Sequence, residues 1–291
     1  MSAQPAKSSD PRPTPMPMPM VSTASLPALL PASGYLVNRL SDPELDARSL
    51  PSVIEKAPVI AGRILALANS AWSAPAVPVT SLELACRRLG LNMIRTVGVA
   101  MAVSQPFRPV PVSGFNAIRF WASSLLAADA GYLLAEPLAP ESRESARTAA
   151  LLARLGILWL VENRPEDLAR AIALMQADGD LALNDALRQC CGFGHVEISQ
   201  QLAEHWRLPD VLCAAIARQK AAAHVPDEEP VTLVVANATR MCFAVTHQRD
   251  FEPDGHLLPS LKVDAERQLD AFEKLRKEAP AIRSLAFEIT G

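Results

Sequence analysis

The side chains best suited to chemistry are a histidine and a glutamate in the second half of the chain, His195 and Glu197, followed by His205. Imidazoles and carboxylates can bind metals and transfer protons. Two residues apart on a helix, His195 and Glu197 point to different sides, so they do not share a metal-binding face as an i, i+4 pair does. Because His195 directly follows Gly194, we interpret it as a residue that caps or orients a helix start, with ligand contact as the alternative.

The sequence contains none of the common signatures of nucleophilic catalysis or nucleotide binding. The G-x-S-x-G, P-loop and G-x-G-x-x-G patterns are all absent. Gly192, Phe193 and Gly194 offer backbone N–H groups that could meet an anion at a helix start, but a turn is the interpretation we favour. We therefore expect no catalytic residue and no cofactor.

The cysteines and tryptophans fit structural roles. The five cysteines form no C-x-x-C pair and no zinc-like spacing with histidine, which predicts free thiols in a reducing compartment. The four tryptophans lie in apolar helical segments, where such rings more often fill a core or line a groove than stack on bases. The residues concerned are Cys86, Cys190, Cys191, Cys213, Cys242, Trp72, Trp121, Trp159 and Trp206.

Composition and charge narrow the class of protein. Of the 291 residues, 49% are hydrophobic and 20% are charged, as is typical of globular proteins. The net charge of -3 and the lack of a Lys/Arg run give no reason to expect DNA or a membrane as a partner. No segment approaches the roughly 18 apolar residues of a membrane span, and prolines interrupt the N-terminus where a signal peptide needs an apolar run. We expect a cytoplasmic protein.

Apolar residues recur at helical spacing from Leu26 onward, and strand-type alternation is nearly absent, which predicts an all-α fold. Further helices are predicted from His195 to Trp206 and after Pro209. The predicted apolar faces are Ile60-Ile64-Leu67-Ala71, Leu82-Cys86-Leu89, Trp121-Leu125-Ala128-Tyr132, Ala149-Leu152-Gly156-Leu160, Leu168-Ile172-Met175 and Leu233-Ala236-Asn237-Arg240-Met241.

Polar residues and glycines mark where these helices begin and end. Thr80 is predicted to cap a helix that stops at Gly90, and Asn92 is predicted to start the next. Asn69 follows an apolar run, so its amide is predicted to hold the helix end or the next loop by hydrogen bonds.

The two ends of the chain differ in character from the middle. Residues 1–24, rich in Pro, Ser and Met, are predicted to be a disordered leader. Residues 251–291 are predicted to be a loop followed by a charged amphipathic helix from Asp264 to about Lys277, which carries Leu269, Phe272 and Leu275. This helix either packs on the body, which we favour, or recruits a partner.

Several segments resemble the HDOD domain family. LPALLP (26–31), PVIAGRILALANSAWS (58–73) and SLELACRRLGLNMIR (81–95) are similar to the first half of such domains. FWASSL (120–125), AALLARLGIL (149–158) and GHVEISQQLAEHWRLP (194–209) are similar to parts of the second half, in the same order. The resemblance implies an N-terminal helical half over residues 25–110 and an HD-like helical half over residues 111–250.

The resemblance also implies a relation to HD phosphohydrolases, in which a His, a His-Asp pair and a later Asp surround one or two metal ions. The corresponding positions here are Ser123, Ala153, Arg154 and Asn237. None supplies an imidazole or carboxylate, and the fixed charge of Arg154 would repel a metal. We therefore predict no metal, and we treat Ser123, Arg154, His195 and Asn237 as a remnant pocket. These side chains either satisfy one another or let Arg154 bind a phosphate.

The function that the resemblance implies is a non-enzymatic module of bacterial signal transduction, acting through protein–protein interaction. The family is linked to cyclic-dinucleotide signalling, motility and gene regulation, so signalling proteins are the expected partners, and a homo-oligomer is left open. A metal-free sensor that binds a nucleotide or other small anion in the remnant pocket is the first alternative. A divergent phosphohydrolase with non-standard ligands is the second.

Overall fold

The computed structural model describes residues 21–179, 181–220, 229–253 and 261–290. Within these ranges the secondary structure is entirely helical, with no strand, so the predicted all-α class is confirmed. None of these helices combines the length and the apolar character needed to cross a bilayer. The helices are α1 (Pro31–Leu40), α2 (Leu50–Ile54), α3 (Pro58–Ala68), α4 (Leu82–Leu89), α5 (Leu91–Ser104), α6 (Ala117–Leu134), α7 (Pro140–Leu152), α8 (Gly156–Asn163), α9 (Pro165–Ala177), α10 (Leu183–Cys191), α11 (His195–His205), α12 (Asp210–Ala217), α13 (Pro230–Thr246) and α14 (Ala265–Thr290).

The segment just before α1 packs on the body, although the predicted disordered leader extends to residue 24. The first twenty residues of the predicted leader lie outside the described residues, but Val21 is buried. Two tryptophans fix the chain that follows, because Trp159 donates to the carbonyl of Ser25 at 3.0 Å and Trp206 to that of Pro27 at 2.7 Å. The ordered body therefore starts before residue 25.

Helix α3 ends earlier than its apolar spacing predicts. Its last residue is Ala68, and Ala71, which was predicted to lie on the buried face, is exposed. The chain turns away because Asn69 holds the loop that follows. Its Nδ2 donates to the carbonyls of Leu65 (2.9 Å) and Val79 (2.8 Å), and its Oδ1 accepts from the N–H of Val79 (2.8 Å). The hydrogen-bonding role predicted for Asn69 is confirmed.

The start of α4 differs by one residue from the prediction. Ser81, not Thr80, caps this helix, since its Oγ accepts from the N–H of Leu84 at 3.2 Å. Gly90 has a φ of 79°, a value that L side chains avoid, and it ends α4 as predicted while also preceding α5.

Helix α6 is the central element of the second half. It packs against α7, α13 and α14, and its residues Trp121, Leu125 and Ala128 are buried. The two halves of the chain meet where α5 packs against α7. This arrangement places the residues of the predicted remnant pocket on α6, on the turn after α7, and on α11 and α13.

The predicted single helix through Ala149, Leu152, Gly156 and Leu160 is wrong, because the structure divides it into α7 and α8. All four residues are buried, but the chain turns at 153–155. The turn lets Gly156 approach α11, where its N–H donates to Ser199 Oγ at 2.8 Å. Any side chain at Gly156 would collide, since a Cβ there would lie 2.2 Å from the carbonyl oxygen of His195.

The C-terminal helix packs on the body and is longer than predicted. Helix α14 continues past Lys277 and through Pro280 to Thr290, and it lies mainly against α6. Ile282, Leu285 and Ile289 are buried beyond the proline, and this burial favours continuing the helix despite one lost backbone hydrogen bond. Leu269, one of the apolar residues that the predicted amphipathic helix carries, is 43% exposed.

Candidate functional site

Two of the predicted pocket residues are in direct contact. Arg154, in the turn between α7 and α8, donates from Nη1 to Ser123 Oγ on α6 at 2.6 Å. Ser123 is 3% exposed, and its hydroxyl donates to the carbonyl of Phe120 at 2.8 Å. The hydroxyl is therefore both a donor and an acceptor, and its geometry is fixed by α6 and by Arg154.

Ser123 also connects this pair to α13. Its backbone carbonyl accepts from the Cys242 Sγ at 2.9 Å. Burial raises the pKa of the Cys242 thiol to about 11, and the charge of Arg154 opposes that rise. Cys242 is therefore a protonated, inert thiol that helps to hold α13 against α6.

The charge of Arg154 has no carboxylate to balance it among the described residues. Its one hydrogen bond there is to the hydroxyl of Ser123, and burial lowers the pKa of its guanidinium. Arg154 itself is only partly buried, so one side of the residue is accessible to solvent. A cation held in this way lacks the compensation that desolvated charges normally have.

Ala153, the neighbour of Arg154, supplies only backbone to the site. Its side chain is buried, and its carbonyl accepts from Gln219 Nε2 at 2.5 Å. The same Nε2 also donates to the carbonyl of Ile216 at 2.9 Å. Gln219 therefore closes the space behind the turn with hydrogen bonds between protein groups.

Asn237 is directed toward the C-terminal helix. It is fully buried on α13, and its Nδ2 donates to Gln268 Oε1 on α14 at 3.2 Å. Its Oδ1 has no hydrogen-bond partner among the described residues. The structure therefore gives Asn237 a partner on α14, whereas Ser123 and Arg154 bond to each other.

His195 begins α11, where sequence reasoning placed it, and it is 8% exposed. Burial lowers its pKa well below the usual value, and the nearby charges of Arg154, Lys220 and Arg188 lower it further. Its Nδ1 has no hydrogen-bond partner among the described residues. The imidazole is therefore neutral near pH 7, close enough to Arg154 to be affected by its charge.

The residue that caps α11 is Glu197, a role that we did not predict. Its Oε2 accepts from the N–H of Gly194 at 3.1 Å, and its Oε1 accepts from Arg188 Nε at 2.8 Å. The sequence signal for this cap is a glutamate three residues after a glycine at a helix start. Because Glu197 is fully engaged here, it is not free to bind a metal beside His195.

The donor set at the four implied ligand positions does not fit a divalent metal. It consists of a hydroxyl, a methyl group, a guanidinium and a carboxamide, and the hydroxyl already accepts from the guanidinium. In the part of the chain that the structure describes, no three His, Cys, Asp or Glu side chains converge to form a metal site.

The family model for the HDOD domain matches residues 26–222. This chain belongs to the HDOD family. Among curated proteins no relative matches it. The match covers the turn that carries Arg154 and the helix that carries Ser123, and it ends before α13.

Solved structures show the same fold. A provisionally named signal transduction protein from Marinobacter aquaeolei VT8 matches with a TM-score of 0.78 and 20% identity over 91% of this chain, which spans 60% of that protein. An HDOD domain protein of unknown function from Geobacter sulfurreducens matches with a TM-score of 0.67, 22% identity and coverage of 91% and 93% of the two chains. A provisionally named phosphohydrolase from Shewanella amazonensis SB2B matches with a TM-score of 0.66, 25% identity and coverage of 92% and 96%.

Proposed function

We propose that this HDOD protein is a non-enzymatic, cytoplasmic module of signal transduction that acts by binding other signalling proteins. The observation that supports the proposal is the Arg154–Ser123 hydrogen bond, because it joins two of the positions at which the family resemblance implies metal ligands and one of them carries a permanent positive charge. Proteins with this fold include one provisionally named for signal transduction and one provisionally named a phosphohydrolase. The chemistry of the donor set favours the first role.

The argument against hydrolysis is electrostatic. A phosphohydrolase of the HD type lowers the pKa of a metal-bound water from about 15.7 to about 7, which makes the water a nucleophile at neutral pH. To hold the ion, the protein needs several deprotonated ligands. Arg154 offers a charge of the wrong sign, and His195 is a single imidazole whose Nδ1 is buried.

Metal content and turnover test the proposal together. Protein prepared without chelator is analysed for bound elements, then assayed with bis(4-nitrophenyl) phosphate and cyclic dinucleotides in added manganese, iron or magnesium. We expect far less than one metal per chain and no turnover above buffer. About one metal per chain together with turnover abolished by chelation would overturn the proposal.

A triple variant provides the matched positive control. Ser123→His, Ala153→His and Arg154→Asp together restore the side-chain types that the family resemblance implies at those positions. If this variant keeps its helical circular dichroism and gains metal, the wild-type side chains, and not the fold, are what prevent binding. The interaction role is tested by cross-linking in the native host, followed by identification of the proteins bound to the wild-type chain.

A further inference from the structure

An exposed aromatic pair lies at the C-terminal end of α13, and its first member directly follows the cysteine that contacts Ser123. The rings of Phe243 and His247 stack with centroids 4.1 Å apart and planes at 28°, and Phe243 is 43% exposed. The guanidinium of Arg249 lies 5.6 Å from the centre of the Phe243 ring. Exposed rings beside an arginine form a surface on which a flat aromatic group can stack.

Positively charged side chains act on this aromatic pair. The pKa of His247 is lowered first by partial burial and then by the charges of Arg154, Arg249 and Arg119. Arg119 lies in the first turn of α6, Arg249 follows α13, and Arg154 lies in the turn before α8. The three guanidinium groups therefore come from three parts of the fold. All charged side chains that act on His247 are positive, as are those that act on His195.

Most of the cations near His195 are already balanced, whereas Arg154 is not. Arg188 forms an ion pair with Glu197, and Lys220 lies 3.2 Å from the carboxylate of Asp185. Arg154, whose charge lowers the pKa of both histidines, donates to a neutral hydroxyl and has no carboxylate partner among the described residues. A partly exposed arginine without a counter-charge is the group that a phosphate can bind with charge-assisted hydrogen bonds.

We propose that this face binds a nucleotide, with its phosphate on Arg154 and its base against Phe243 and His247. Arg119 and Arg249 supply further positive charge around the phosphate, and Ser123 holds the Arg154 guanidinium in place. The inference rests on the proposed function in one respect, namely that Arg154 occupies the place of a metal. It adds nucleotides as the ligand class. It also adds Phe243 and His247, which the remnant pocket predicted from the sequence did not include.

Calorimetric titration at low salt, without added metal, tests the proposal with four probes: orthophosphate, adenosine monophosphate, guanosine monophosphate and a cyclic dinucleotide. We expect at least one nucleotide to bind about tenfold or more tightly than orthophosphate, because only nucleotides can stack on the aromatic pair. Equal affinity for orthophosphate and all nucleotides, or no binding at millimolar ligand, would overturn the inference.

Substitutions test the contact with the phosphate and the contact with the base separately. Arg154→Gln is expected to weaken every probe about tenfold or more, and Phe243→Ala to reduce nucleotide affinity to that of orthophosphate. Arg154→Lys, which keeps the charge, is expected to retain part of the affinity. Phe287→Ala, at a phenylalanine on α14 that is 62% exposed, is the matched control and should bind like wild type. Nucleotide affinity unchanged in Phe243→Ala would contradict the stacking role.

The outcomes also distinguish this inference from the proposed function. In a repeat of the titration with added manganese, nucleotide binding that appears only with the metal, or consumption of the nucleotide, would overturn the non-enzymatic proposal. Metal-free protein that binds no phosphate compound would leave that proposal standing and refute only the nucleotide site.

Discussion

Two arginine sites in this fold differ in how far they are buried and in what balances their charge. Arg95 on α5 and Arg147 on α7 are 3% and 4% exposed, and both pair with Glu144, at 2.8 Å and 3.3 Å. We call these three residues the buried ionic cluster. Arg95 also donates to the carbonyls of Asp42 (2.7 Å) and Leu45 (2.9 Å). Arg154, in contrast, has a hydroxyl as its partner.

This difference distinguishes an arginine site that stabilises the fold from one whose charge is available to a ligand. The buried ionic cluster joins the two halves of the chain, and its cations have a carboxylate and backbone carbonyls within the protein. A site built to hold a fold together provides its own counter-charges. Arg154 is partly exposed and lacks such a partner among the described residues, which is what a site for an external anion requires.

The largest effect is expected when Glu144 is replaced. Glu144→Gln leaves Arg95 and Arg147 without their ion-pair partner, and removing one partner of a buried ion pair costs about 3 to 5 kcal/mol. The free energy of unfolding from urea denaturation measures the loss. Glu136→Gln is the control, because its ion pair with Arg267 is about half exposed and worth less than about 1 kcal/mol. Equal losses in the two variants would mean that the cluster does not join the halves.

The next effect concerns the turn that carries Arg154. Gly156→Ala places a Cβ 2.2 Å from the carbonyl oxygen of His195 and 2.9 Å from the Cβ of Ile198, so α8 and α11 must separate. We expect a loss of about 1 to 3 kcal/mol, measured by thermal and urea unfolding. Gly62→Ala is the matched control. With nothing within 4 Å of its Cβ, it should gain about 0.5 to 1 kcal/mol from helix propensity. Equal stability of both variants would contradict the close contact between Gly156 and α11.

Local signals predicted much of the fold, and contacts distant in sequence account for what they missed. The role of Asn69 and the stop at Gly90 follow from polar and glycine residues beside apolar runs. The break before Gly156 could not be predicted, because the apolar spacing continues through it and the cause is contact with α11. At the site, the family resemblance predicted Ser123 beside Arg154. The four-residue spacing of Phe243 and His247 is visible in the sequence. The effect of Arg154 on these rings could not be predicted, because it depends on how α13 packs on α6.

A smaller effect is expected at Asp129, which adjoins the buried ionic cluster. Burial raises its pKa to about 6 from a usual 3.8, and the charge of Arg147 opposes the rise. Because the folded pKa exceeds the unfolded one, the folded protein binds the proton more tightly, and stability falls as pH rises from about 4 to 6. Asp129→Asn should remove this slope and stabilise the protein at pH 7 by an amount on the order of 1 kcal/mol. Urea unfolding at several pH values measures it, with the exposed Asp270→Asn as control, and an unchanged slope would contradict the assignment.

The smallest effect on stability is expected at Arg154 itself. Arg154→Met removes a desolvated charge and leaves a side chain of similar length. Ser123 keeps its hydrogen bond to the carbonyl of Phe120, so no buried hydroxyl is left without a partner. Replacing a poorly compensated buried charge by an apolar group is often neutral or stabilising, and we expect a loss of no more than about 1 kcal/mol.

The Arg154→Met variant also tests whether Arg154 binds an anion. Arg147→Met, which breaks its ion pair with Glu144 but leaves Glu144 paired with Arg95, is expected to cost about 1 to 3 kcal/mol, although both variants remove one arginine. Phosphate should raise the melting temperature of the wild type and of Gly62→Ala but not that of Arg154→Met, since a ligand stabilises a fold only through the site that binds it. If Arg154→Met lost as much stability as Arg147→Met in phosphate-free buffer, Arg154 would belong with the arginines that hold the fold together, and its charge would not be available to a ligand.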